Sequence, residues 1–358
     1  MDVQDTLKDF KARLDPEMAA YFDELLKKTR KEDEAVADAL EHVKKITLSG
    51  GKRLRPAFMY YGYLAAGGTD RGRILKTAIA VELIHMYLLI HDDIIDRDEL
   101  RHGVPTLHML YRDLGKKHFP QRDAEHFGLS IALIVGDMVA ALGNDVIFRS
   151  GFPHENMFAA LSELQGIITR TVVGEAKDVY MEYAGKATEA EILAMYDNKT
   201  ARYTVEGPLH VGALLAGGSD ELLEIFSRYA LPLGVAFQIQ DDILGVYGTT
   251  ERTGKPVGSD IEEGKLTLLI SRLLETGTEE DKKEISRILA LHDKLTETDI
   301  DLFRKIMENS GSLAYAKKEA ARRIEEGKRA LLESTVPMNA EAKDFLLSIA
   351  DYLATRDY

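Results

Sequence analysis

The sequence predicts an all-α protein, and three observations carry that reading. Apolar residues recur at three-four spacing along most of the 358-residue chain, no run of alternating β-branched residues interrupts them, and no Pro/Gly/Ser-rich linker divides them. One domain over residues 1–358 is therefore expected, a helical bundle around a large central cavity, although the length alone would also admit two average domains. Composition narrows the function. A formal charge of -14 argues against nucleic acid and anionic membrane surfaces, which need a basic face, and is silent about small anions. Without cysteine there is neither a disulfide framework nor a thiolate nucleophile, as suits a reducing compartment. The greasiest stretch, Gly128 to Gly143, is broken by Asp137, so no membrane span of roughly 18 uncharged residues is expected, and the opening MDVQD does not begin a signal peptide. These features predict a soluble, cytoplasmic protein.

Taken in order, residues 4–46 read as two or three amphipathic helices punctuated by Pro16, with a solvated charged face and no visible chemistry. In the stretch SGGKRLRP that follows, paired glycines end one helix and Pro56 fits the first turn of the next. Lys52, Arg53 and Arg55 thus gather at a helix N-terminus, a good place for a diphosphate. Gly67-Gly68 closes that helix, and residues 74–93 form a long apolar one ending in the box His91-Asp92-Asp93-Ile94-Ile95-Asp96. Asp92 and Asp96 share a helix face, where like charges repel unless they share a cation; all-oxygen ligation suits Mg²⁺. His85, seven residues earlier, lies on that face two turns down.

Beyond the box comes a turn-rich basic loop, Arg101 to Thr106, and then two long Ala- and Leu-striped helices, 126–150 and 154–183, that read as core or subunit-interface walls. Asn198 to Arg202 breaks a helical run with polar groups, a composition usual for surface loops. The next helix carries a buried stripe through Leu222, Phe226, Tyr229, Leu233 and Phe237 into a second box, Gln240-Asp241-Asp242-Ile243-Leu244. Asp241 thus falls where burial is expected. Gly254 to Asp260 and Lys265 make a glycine-punctuated basic loop of the kind that covers phosphates, while Ser310 to Glu333 and Glu341 to Ala354 are expected to form an outer shell.

Two carboxylate clusters and several separate basic sites imply more than one polyanionic substrate bound at once. No nucleophile with its base is visible, nor a P-loop lysine-serine pair. What remains is ionisation of a metal-bound diphosphate, with an alkene attacking the resulting carbocation in a dry apolar cavity.

The motifs GGKRLRP, DDIID, RxGxPT, KT, QIQDD and GKPVGSDIEEGK, in that order, resemble those of the trans-isoprenyl diphosphate synthases over about Gly50 to Lys265. The resemblance implies the isoprenoid synthase fold, a homodimer, three Mg²⁺ ions, and condensation of isopentenyl diphosphate with dimethylallyl, geranyl or farnesyl diphosphate. It implies that Lys52, Arg55 and His85 grip isopentenyl diphosphate, that Asp92, Asp96 and Asp241 hold metal, and that Asp93, Asp242 and Asp260 stand beside those ligands. Arg101, Lys199 and Lys255 would hold the allylic diphosphate, with Lys265 beside them; Thr200 and Gln238 would shield the developing cation. Two departures stand out. His102 replaces the family's usual second arginine, a weaker and pH-dependent cation toward isopentenyl diphosphate, and Gly245 ends the second box where an aspartate is usual. Tyr87 and Leu88, five and four residues before Asp92, would floor the product pocket, which points to geranylgeranyl diphosphate, with farnesyl diphosphate as the alternative. Rival readings are a terpene cyclase, which needs no second diphosphate site, and a non-catalytic partner subunit, which would be expected to have lost its carboxylates.

Overall fold

The computed structural model describes residues 2–248, 258–291 and 294–354. Lys255 and the Asp260 side chain lie outside the described residues. The chain opens with α1 (Val3–Thr29), capped by the Asp2 carboxylate, and α2 (Glu34–Ser49), capped by Asp33. Pro16 does not divide α1 as expected. The stripe Phe10, Leu14, Met18 and Phe22 is buried on both sides of it, so packing holds one helix through the lost backbone bond.

Next come α3 (Leu54–Ala65), α4 (Arg71–Thr77) and α5 (Ile79–Ile95), and then a hairpin of two-residue antiparallel strands, β1 (Leu100–Arg101) and β2 (Val104–Pro105). The chain continues through α6 (Leu107–His118), α7 (Ala124–Phe148), α8 (His154–Ala184), α9 (Glu189–Tyr196), a π-helix (Asp197–Glu206), α10 (Gly207–Leu215) and α11 (Asp220–Tyr247). It closes with α12 (Ser259–Glu263), α13 (Leu268–Thr276), α14 (Glu279–Leu289), α15 (Glu297–Asn309), α16 (Ser312–Leu332) and α17 (Ala340–Ala354).

Helices α5 and α11 carry the two aspartate boxes. The first packs on α7; the second lies between the π-helix and α16. The stretch expected at the surface, Asn198 to Arg202, is instead wound into the π-helix, with Thr200 and Ala201 buried. Its wide turn is clasped between two glycines: a Cβ on Gly174 of α8 would stand 2.4 Å from the Lys199 backbone nitrogen, and one on Gly234 of α11 would stand 2.3 Å from the Ala201 Cα. Only glycine permits that approach. Widened helical turns of this kind are frequent at functional sites.

The two last helices are not an outer shell. The charged helix α16 buries Ala316, Ala320, Ile324, Gly327 and Leu331, and this mostly small-residue face lets it lie flush on α11. From α17, Phe345, Leu346, Ile349 and Leu353 enter the core. Counting charged residues hid these faces, because long polar side chains on one side of a helix mask a narrow apolar stripe on the other.

Among the described residues, three helical stretches are, by length and composition alone, apolar enough to cross a membrane: Arg71–Ile95, which joins α4 and α5, Ala124–Phe148 and Asp220–Tyr247. The rule of uncharged residues passed over them because a few charges leave the mean hydropathy high. In the first and third, 67% and 61% of the apolar window is buried inside the protein, which accounts for their hydropathy as core. In α7 only 33% is buried.

Candidate active site

A cavity of about 860 Å³ opens between α3, α5, α8, the π-helix and α11. Its wall includes Arg55, His85, Tyr87, Leu88 and Asp92 from the first half of the chain, and Lys199, Thr200, Gln238 and Asp241 from the second. Residues up to 186 positions apart in sequence thus meet, and most of the remaining wall is apolar.

At the first box, Asp92 faces the cavity while Asp93 turns inward. The helical step of about 100° per residue separates them. Arg101, from the hairpin, donates from Nε to Asp93 Oδ1 at 2.6 Å and lies 3.9 Å from Asp92 Oδ2. Burial lifts the Asp93 carboxyl to about 6, against the pull of Arg101. Asp96, the third carboxylate, is not part of the cavity wall; its Oδ2 accepts from Lys265 Nζ at 2.8 Å, and Lys265 also pairs with Glu263 at 2.7 Å.

The second box repeats the arrangement with a tyrosine and a glutamine against its inward aspartate. Asp241 faces the cavity, and the buried Asp242 accepts from Gln238 Nε2 at 2.8 Å and from the Tyr196 hydroxyl. Gln238 Oε1 in turn accepts from the Thr200 hydroxyl at 2.6 Å. The amide is therefore oriented, and the Thr200 oxygen keeps its lone pairs for the cavity.

The cations divide into three groups. Lys199 Nζ is caged by Glu175 at 2.9 Å and Asp178 at 2.7 Å. Burial pushes its ammonium down, but Asp178, Asp92 and Glu175 outweigh this and hold it well above the usual lysine value. Arg55 donates from Nη2 to Thr204 Oγ1 at 2.9 Å and lies 4.4 Å over the Tyr203 ring, while its buried Nε has no partner. An anion would satisfy it. Because Arg55 only donates, His85 Nε2, 3.2 Å from Nη1, must accept, which leaves the proton on Nδ1, 2.6 Å from the Tyr203 hydroxyl. Burial, with Arg55 and Arg101 adding to it, keeps His85 far below its ordinary value and neutral.

Lys52 stands outside the cavity wall, its Nζ donating to Tyr352 of α17 at 2.8 Å. Arg53 is not an anion-binding cation at all. It turns inward, only 3% exposed, and donates to Asp15 at 2.8 Å, Glu82 at 2.6 Å and the Thr47 carbonyl at 2.7 Å. Three clustered cations in the sequence are thus two cations and a buried anchor.

A sequence model of the polyprenyl synthetase family matches residues 33–307. The chain belongs to this family. It is a trans-prenyltransferase with the all-α isoprenoid synthase fold. It is 33% identical, over its whole length and 99% of the relative's, to the geranylgeranyl diphosphate synthase of Methanosarcina mazei. It is also 33% identical to the geranylfarnesyl diphosphate synthase of Aeropyrum pernix, over 86% of this chain and 91% of that one. Its structure resembles a Corynebacterium glutamicum geranylgeranyl pyrophosphate synthase complexed with isoprenyl diphosphate and magnesium, with a TM-score of 0.91, 30% identity, and coverage of 98% and 99% of the two chains.

Sequence reasoning missed several residues of this prenyltransferase site. Glu175 and Asp178, which cage Lys199, sit on α8 and were read as part of a plain wall helix. Their spacing of three residues on one face was the available signal. Tyr203, whose hydroxyl accepts a hydrogen bond from His85 Nδ1 and whose ring carries Arg55, lies one helical turn beyond the KT pair. Among the described residues no three Asp, Glu or His side chains converge as a ready metal cage. The donors present are hard carboxylate oxygens on opposite boxes of one cavity. They fit an ion that completes its shell with water and phosphate oxygens, as Mg²⁺ does.

Proposed function

We propose that the protein condenses isopentenyl diphosphate head-to-tail with an allylic diphosphate, with geranylgeranyl diphosphate as its product, and that the whole chain acts as one catalytic unit. One observation carries this reading: Asp92, Asp241, Arg55 and Lys199 line a single cavity whose remaining wall is mostly apolar. The buried apolar cluster running from Val3 to Leu353 supports the single unit.

In this reading Lys52, Arg55 and His85 hold isopentenyl diphosphate, and Arg101, Lys199, Lys255 and Lys265 hold the allylic diphosphate. Magnesium, three ions by the family expectation, would supply the Lewis acidity that makes the diphosphate a leaving group, held by Asp92, Asp96 and Asp241. Lys265, which pairs with Asp96, must exchange that partner for substrate. The Thr200 oxygen, oriented by Gln238 and Asp242, presents lone pairs to the developing carbocation, and the apolar wall excludes the water that would quench it. The departing diphosphate takes the proton from the condensed product, so no protein base is required.

Product length rests on Tyr87, whose ring stands edge-on to His91 at 4.9 Å and forms part of the cavity wall beside Leu88. A second reading, the longer geranylfarnesyl diphosphate, has one observation in its favour. The wall extends along α8 from Thr171 to Tyr183, a run of about 18 Å at 1.5 Å per residue.

We also propose a cytoplasmic homodimer. Leu133, Ile134, Phe148, Phe158, Val173 and Tyr180 are exposed on α7 and α8, a surface that a second copy of the chain would cover.

Incubation with labelled isopentenyl diphosphate, Mg²⁺ and each allylic starter tests the activity, with a twenty-carbon diphosphate as the expected main product. Diphosphate release from an allylic starter alone, with no elongated product, would favour a cyclase instead. Sedimentation equilibrium should return twice the chain mass, and a monomer at micromolar concentration would refute the dimer.

A further inference from the structure

We propose that Lys11, on α1, supplies the positive charge that His102 does not, and so belongs to the isopentenyl diphosphate subsite. This rests on the condensation reading above. Phe10 and Leu14 on α1 are buried against the core, which sets Lys11 at the edge of the helix, facing the turn Gly50-Gly51. Its ammonium donates to the Gly51 carbonyl at 2.7 Å and lies 3.4 Å from that of Gly50. Gly51 has φ +86°, so the turn is one that glycine adopts freely, and Lys11 pins it.

His102 packs against the same turn. Its ring lies so close over Gly50 that a Cβ there would stand 2.7 Å from Cγ. The two side chains therefore meet one two-residue turn, immediately before Lys52. Burial, with Arg101, Arg53 and Lys11 adding to it, lowers the His102 imidazole below its ordinary value, which fits a ring surrounded by cations and itself neutral.

Around this turn Arg53 and Lys11 together balance Asp15 and Glu82. Arg53 is consumed by Asp15 and Glu82, and His102 is neutral, which leaves Lys52 and Arg55. Lys11 adds a third. Its ammonium has three donors, of which the Gly51 carbonyl takes one at 2.7 Å and the Gly50 carbonyl a second, weaker one at 3.4 Å. Asp15 pairs with the ammonium at 3.7 Å without a hydrogen bond, so one donor remains for a phosphate oxygen. The N-terminal helix, which shows no chemistry in sequence, reaches the turn before Lys52 through this residue.

The test is steady-state kinetics of the full-length enzyme with a saturating allylic diphosphate. Lys11→Gln should raise KM for isopentenyl diphosphate about tenfold, as expected for one lost charge-assisted hydrogen bond, with kcat and the allylic KM within about twofold of wild type. Lys11→Arg should stay near wild type, and adding His102→Arg to Lys11→Gln should return KM most of the way. An unchanged isopentenyl KM would overturn the proposal. So would an equal rise in both KM values with a lowered Tm, or failure of His102→Arg to rescue, since each marks a purely structural lysine. Absence of condensation by the wild type would instead overturn the reading of the activity.

Discussion

At the first box the aspartate after the cavity-facing one, Asp93, is buried against the Arg101 guanidinium; at the second, Asp242 is buried against a tyrosine hydroxyl and a glutamine amide. The upstream turns differ too. Before Asp92 stand the hydrocarbon surfaces of Tyr87 and Leu88; before Asp241 stands Gln238, tied to Thr200. One sequence pattern thus serves two purposes, because the partner of the inward aspartate determines what the box connects to. The first box joins a charged hairpin to an apolar wall. The second joins a hydrogen-bond relay to the cavity wall at Thr200.

Removing the shared element should have the largest effect. Asp92→Asn and Asp241→Asn should each lower kcat by about 10³-fold or more, since metals on a leaving group contribute several kcal/mol, while circular dichroism stays unchanged. Near-normal turnover in one of the two would break the equivalence of the boxes. Gln238→Leu comes next. It frees the Thr200 hydroxyl and leaves Asp242 one donor short, so kcat should fall about 10²-fold with product length unchanged. A shift in chain length without loss of rate would show that the relay idea is wrong.

The contrasting partners can be separated by pH. Asp93 sits at about 6 when folded, against roughly 3.9 for a free aspartate, so between those values the folded protein binds more protons than the unfolded chain. Its contribution to stability is therefore present below pH 4 and lost as pH rises through 6, by about 2–3 kcal/mol. Urea unfolding of metal-free protein from pH 4 to 7 should show this decline in the wild type but not in Asp93→Asn; parallel curves would contradict it.

Tyr87→Ala sharpens the comparison from the first box's side. Products should lengthen by one or more five-carbon units with kcat within about threefold, because the change opens space without touching the charged end of the cavity. An unchanged product profile from an active variant would make Tyr87 ordinary packing. The smallest effect belongs to His102→Arg alone. With Lys11 in place, KM for isopentenyl diphosphate should fall only about twofold at pH 7.5, where an imidazole is neutral. A tenfold fall would mean that Lys11 contributes no charge there.

Much of this was legible before any fold was known, because it depends on spacing along one helix. The all-α class and His85 two turns before Asp92 on one face follow from a period of 3.6 residues, whereas burial fell on Asp242 and not, as expected, on Asp241. The KT pair was legible as chemistry but not as a place: polar composition suggested surface, and the clasp of Gly174 and Gly234 buries it. Arg53, Asp15 and Glu82 could not be told from solvated charges, since burial of an ion pair depends on which helices meet.

The sequence by itself determined the family, the helical frame and the two carboxylate boxes, because local periodicity and motif order are properties of the chain. Tertiary structure alone decided which charges face the cavity and which are spent on one another. Arg53 turned inward and Lys11 came to the glycine turn from 39 residues away. Lys199 found its cage on α8, and Lys265 found Asp96 from 169 residues away. A charge acts over a few ångströms of space, and separation along the chain does not fix that distance.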